Sequence, residues 1–147
     1  MQVVIQILAS IGATLGFCLM FHTEKEHLLI PSLGGGLCWG AYLLFVHLGC
    51  SIFPATFFAS FLVGIYGVVS SYLSRVPTTV YFIPCCIPLI PGGNLYYTIM
   101  ALIRQDWLDA RNNAIQLGLF ALGISLGLAL AMELDYMRRK LISHKGS

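Results

Sequence analysis

The stretch IPCCIPLIPGGNLYYT, Ile83–Thr98, places three prolines and a Gly-Gly pair inside a segment, 76–103, that contains no charged residue. A proline inside a helix removes one hydrogen bond and clashes with the carbonyl four residues earlier, at a cost of about 3 kcal/mol. Pro77, Pro84, Pro88 and Pro91 fall at i, i+7, i+11 and i+14, along one helix face. If helix persists, the carbonyls of Val80, Pro84 and Ile87 lose their amide partners on that face. Lipid offers no replacement, so the stripe must meet protein, water or solute.

Beyond Pro91, Gly92 and Gly93 let the chain leave helical geometry, and Asn94 is a predicted N-cap for a second half-helix, Leu95–Ile103. A helix N-terminus carries a partial positive charge and free donors, and so holds a carboxylate without a buried cation. Discontinuous helices of this kind form substrate sites in secondary transporters. The predicted site therefore centres on Gly92, Gly93 and Asn94, with the amides near Leu95, Tyr96 and Tyr97 pointing into the break and the hydroxyls of Thr78, Thr79, Tyr81, Tyr96, Tyr97 and Thr98 as auxiliary partners. The alternative is a structural kink whose tyrosines pack between helices.

Outward from this segment, the 147 residues are 58% hydrophobic and 10% charged, with mean hydropathy +0.84. That composition belongs to an integral membrane protein. A span needs roughly 20 apolar residues. The neutral runs then predict an all-α bundle of five transmembrane helices in a single domain, 1–147. The spans are about 3–21, 28–47, 54–73, 77–103 (broken near 91–94) and 113–132. The first is expected in the mature protein, because neither a basic leader nor a small-residue cleavage site accompanies it.

With five spans, Lys25, Arg75, Arg138, Arg139, Lys140 and Lys145 share one side, against Arg104 and Arg111 on the other. The bias of basic residues toward the cytoplasm predicts an external N-terminus and a cytoplasmic C-terminus, in the plasma membrane. Gly12 with Gly16, Gly36 with Gly40, Ser60 with Gly64, and Gly123 with Gly127 and Ala131 are small residues at i and i+4. They predict close helix packing. Pro31 and Pro54 fit first helical turns.

No metal, cofactor, nucleic-acid or enzyme signature stands out. The five cysteines lack metal or redox spacing and read as small hydrophobes. His22, His27 and His47 read as interfacial, and 104–113 (RQDWLDARNN) as an interfacial loop or helix. Its Asp106-x-x-Asp109-Ala110-Arg111 lacks the later glycine and paired aspartates of membrane phosphotransferases. No nucleophile elbow, His-Glu-x-x-His pair or phosphate loop occurs.

Phe58-Ala59 followed by Gly64, then Pro84-x-x-x-Pro88-x-x-Pro91-Gly92-x-x-x-Tyr96, resembles the small five-span half of the threonine/serine exporter family, the YjjB-like proteins. The resemblance covers roughly residues 3–130. Residue by residue, it nominates Pro88, Pro91, Gly92 and Tyr96 for substrate binding. It implies a small subunit of a two-component secondary transporter that exports threonine, serine or related small carboxylates and is driven by protons. The implied partner is a larger five-span subunit of the same family.

No acidic residue lies inside a predicted span, whereas proton-coupled transport commonly uses an intramembrane ionisable group. That group is expected from the partner. A dicarboxylate exporter subunit and a non-transporting scaffold for the larger subunit are the alternative readings.

Overall fold

The computed structural model describes residues 2–145, with the side chains of residue 139 and of 141–145 outside the description. Among the described residues it is all helix and turn. The helices are α1 (Gln2–Met20), α2 (Leu29–His47), α3 (Ile52–Ser74), α4 (Thr78–Cys86), α5 (Gly92–Ile103) and α6 (Trp107–Lys145). Two single 3-10 turns, Lys25–His27 and Ile87–Leu89, precede α2 and follow α4. Four helices are each long and apolar enough to cross a bilayer, and the bent pair α4–α5 passes the same test when taken as one broken span, for up to five crossings.

Four turns close in the same way. A residue with positive φ follows the helix, at His22, Gly49, Arg75 and Gln105. The next amide then reaches back to the last turn: Thr23 to Cys18, Cys50 to Phe45, Val76 to Ser71 and Asp106 to Ala101. These bonds satisfy carbonyls that a helix end otherwise leaves unpaired. Only one of the four is glycine, so His22, Arg75 and Gln105 carry a left-handed backbone that costs about 1–2 kcal/mol each.

Neighbouring helices pack in the order α1, α2, α3, α6, α5, while α4 lies against α2 and α3. Small residues mark the crossings among α1, α2, α3, α4 and α6, because close backbone approach rather than apolar burial drives association in lipid. A Cβ on Gly35 would collide with Thr14 of α1, one on Gly34 with Cys85 Sγ of α4, and one on Gly36 would lie 2.5 Å from Ile11. Gly67 seats Phe82 of α4, where a Cβ would stand 2.9 Å from that side chain's own Cβ.

Across the α3–α6 seam, Gly64 meets Ala131, Gly123 meets Thr56, and Gly127 meets Ser60. Ser60 Oγ also donates to Gly123 O at 3.2 Å. The predicted Gly12/Gly16 face is different. Both positions are open, and a Cβ added at either would find nothing of this chain within 4 Å. Helix α1 instead buries Ser10, Thr14 and Cys18. Glycine spacing alone does not show which face meets a neighbour, and here the Gly34–Gly36 run of α2 admits the hydroxyl side of α1.

The buried centre joins Cys38, Ala59, Val63, Cys85, Cys86 and Leu89. All five cysteines are free, and four are buried as packing residues. Pro31 and Pro54 lie in the first turns of α2 and α3.

Candidate functional site

The fourth crossing breaks between two halves of similar length. Helix α4 contains Pro84, the chain tightens into a 3-10 turn at Ile87–Leu89, and α5 restarts at Gly92 with a bend of 50°. The tightening repairs part of the proline stripe. Ile87 N–H reaches Pro84 O, and Ile90 N–H reaches Ile87 O at 3.1 Å. The expectation of three stranded carbonyls is corrected here for Pro84 and Ile87, since a 3-10 bond recruits an amide one residue nearer. Val80 still faces Pro84, which has no amide to donate.

The second helix starts earlier than Asn94. Pro91 occupies the cap position with φ −79° and ψ 58°, and no side chain caps the end. Asn94 is the third helical residue, and its Nδ2 donates to Gln116 Oε1 of α6 at 3.0 Å. The predicted cap is therefore corrected to a link between helices. Pro91 already sets the chain direction, and Gly92 enters the helix without positive φ. Leu95 N–H is taken by Pro91 O at 3.1 Å, so the first-turn donors are those of Gly93 and Asn94 rather than those of Leu95 to Tyr97.

Among the other nominated residues, Pro88 and Pro91 are half-buried, whereas Gly92, Gly93, Tyr96 and Tyr97 are exposed. No atom of this chain outside their own helix lies within 4 Å of a Cβ built on Gly92 or Gly93. The Tyr96 and Tyr97 rings touch edge to face, 5.4 Å between centroids. Helix α5 packs mainly on α6, so the Tyr96–Tyr97 side of the break is left uncovered by this chain. The auxiliary hydroxyls are engaged elsewhere: Thr98 donates to Asn94 O at 2.7 Å, and Thr78 to Ser71 Oγ at 3.3 Å.

A separate cavity of about 490 Å³ opens at the start of α4, between the α1–α2 and α3–α4 turns. Its wall is apolar where Phe21, Val76, Val80, Ile83 and Pro84 line it. Its rim carries His22, Glu24, His27 and Arg75, with Thr23 and Thr79. His27 is anchored there by two neighbours. Its Nδ1 lies 2.9 Å from the hydroxyl of fully buried Tyr81, and its Nε2 lies 3.9 Å from Glu24 Oε2. None of the seven nominated residues lines this cavity.

By sequence, His27 reads as interfacial and Tyr81 as an auxiliary donor. Their pairing joins residues 54 positions apart, and no spacing rule reveals it. Near the same end of the bundle, Tyr72 Oη donates to Asp135 Oδ1 at 2.9 Å, and the Arg138 guanidinium stands 5.0 Å from the Tyr72 ring centroid. At the opposite end, Asp106 Oδ1 accepts from Asp109 N–H at 3.2 Å and caps α6.

No cluster of three or more metal-ligating side chains occurs among the described residues. In comparison with known proteins, residues 6–134 match the family model described as threonine/serine exporter, ThrE. No solved structure matches the chain.

Proposed function

The chain belongs to the threonine/serine exporter family, and from that premise we propose that it is the small subunit of a two-component, proton-driven secondary transporter for threonine, serine or related small carboxylates. The carrying observation is the restart of α5 at mid-span, with the amides of Gly93 and Asn94 at a helix N-terminus and open space beside Gly92 and Gly93. Such an end attracts a carboxylate through its dipole and its unpaired donors. The exposed Tyr96–Tyr97 edge makes this half of a site, which the larger five-span subunit completes.

The described spans hold no acidic side chain at mid-depth, because Glu133 and Asp135 sit in the last part of the apolar stretch of α6. The proton-carrying group therefore comes from the partner. The end that bears Lys25, Arg75 and Arg138 faces the cytoplasm, by the bias of basic residues.

Co-reconstitution of this chain with its larger companion in proton-gradient vesicles tests the reading. Efflux of labelled threonine is expected to need both chains and to be abolished by Gly93→Leu or Asn94→Leu in protein that still inserts. Full efflux from the larger chain alone would reduce this chain to a scaffold. Efflux of succinate in preference to threonine would replace the cargo.

A further inference from the structure

The cavity at the start of α4 is built from charges that the broken span does not use. Arg75 and Glu24 sit on different turns, far apart in sequence, yet both face the same volume of about 490 Å³. That is within the usual size of small-molecule sites, roughly 300–1,000 Å³. Among the described residues Arg75 forms no ion pair, while Glu24 lies beside His27 at 3.9 Å. Arg75 is held at the rim by its position as the left-handed residue that ends α3, with φ 56°.

Between these opposite charges the wall is apolar, and it includes Val80, whose carbonyl lacks an i+4 amide because residue 84 is proline. We infer that this cavity is a second binding site, for a zwitterionic α-amino acid, at the end of the bundle formed by the α1–α2 and α3–α4 turns. The Arg75 guanidinium takes the carboxylate, since its planar fork matches two oxygens. The ammonium meets the Glu24 carboxylate and the Val80 carbonyl. Thr23 and Thr79 supply hydroxyls for a hydroxylated side chain.

The choice of a hydroxy amino acid rests on the exporter reading, but the zwitterion chemistry rests on the cavity alone. A monocarboxylate would leave Glu24 facing an unneutralised ligand, and a simple amine would leave Arg75 unmatched. Every group that forms the site belongs to this chain, so binding needs no partner subunit.

The test uses the full chain alone in phosphatidylcholine nanodiscs, titrated with labelled L-threonine. Saturable binding is expected, weakened at least about tenfold by Arg75→Gln and by Glu24→Gln, as loss of a charge-assisted contact implies. Leu108→Ala, an exposed position at the opposite end of the bundle that does not line the cavity, is expected to bind as the parent does. L-threoninol, lacking the carboxylate, and 3-hydroxybutyrate, lacking the ammonium, are expected to compete at least about tenfold more weakly than L-serine.

Absence of saturable binding, or unchanged affinity in both charge variants, overturns the inference. Loss of threonine binding when phosphatidylethanolamine is added identifies the occupant as a lipid headgroup and also overturns it. Failure of vesicle efflux with this binding intact would refute the exporter reading while leaving the cavity assignment standing.

Discussion

The hydroxyl of Tyr81 and Nδ1 of His27 lie 2.9 Å apart, although one belongs to the first half of the broken span and the other to the turn that leads into α2. The rings meet nearly edge to face, at 82°. Because Tyr81 is fully buried, its hydroxyl has no water to turn to, and the bond fixes the start of α4 against the α1–α2 turn. Tyr81→Phe is expected to lower unfolding stability by about 0.5–1.5 kcal/mol. His27→Ala is expected to cost a similar amount or more, because it leaves the buried hydroxyl unpaired. A double-mutant cycle read by thermal unfolding in detergent should show the two effects coupled, and strict additivity would mean the contact carries no energy.

Gly35 and Gly12 form a contrasting pair on facing helices. A side chain at Gly35 collides with Thr14, whereas one at Gly12 meets nothing of this chain. Gly35→Ala is therefore expected to destabilise the isolated chain by about 1–3 kcal/mol, as overpacking does. Gly12→Ala and Gly16→Ala are expected to change stability by less than about 0.5 kcal/mol. Midpoint temperatures of the three variants in one detergent decide this, and equal losses would mean that α1 packs through its glycine face.

The seam between α3 and α6 depends on Gly127, where a Cβ would strike Ser60 Oγ and approach the Phe57 carbonyl, a backbone atom that cannot swing away. Gly127→Val is expected to cost more than Ser60→Ala. The latter removes the hydroxyl that Ser60 shares between Phe57 O at 3.0 Å and Gly123 O at 3.2 Å, worth about 1 kcal/mol. Urea or thermal unfolding of the two variants should rank them in that order.

At the break, Pro91→Ala together with Gly92→Leu restores an amide and helix-forming residues between α4 and α5. The bend is expected to fall well below its present 50°, with stability retained or raised. Spin labels near the two ends of the crossing should report a longer separation, and efflux with the larger subunit should fall at least about tenfold. A straightened span with full efflux would remove the discontinuity from the mechanism.

Tyr96 and Tyr97 are 59% and 60% exposed, so neither is expected to support the fold of the isolated chain. The double change to alanine should leave its unfolding temperature within about 2 °C. The same variant is expected to recover less of the larger subunit on co-purification. Equal recovery would place the partner on another face.

Much of the architecture was legible from residue order alone. The neutral runs marked the membrane crossings, and the proline spacing located the interruption, because both depend on local properties of the chain. Asn94 shows where local reading failed. It has the chemistry of a cap, but Pro91 redirects the backbone three residues earlier, and Gln116 of α6 then claims its amide. The Ser60/Gly64 face was correctly expected to pack, whereas the Gly12/Gly16 face was not distinguishable from it by spacing.

The amino-acid order by itself determined that the protein lives in lipid, that it is helical, and that its fourth crossing breaks at Pro-Gly-Gly, since backbone hydrogen bonding in hydrocarbon permits little else. Which glycines become contacts, which tyrosines stay uncovered, and that Glu24, His27, Arg75 and Val80 enclose one cavity were decided only by tertiary structure. Those relationships join residues from separate turns and helices, and their distances are set by how the helices cross, which no local sequence preference encodes.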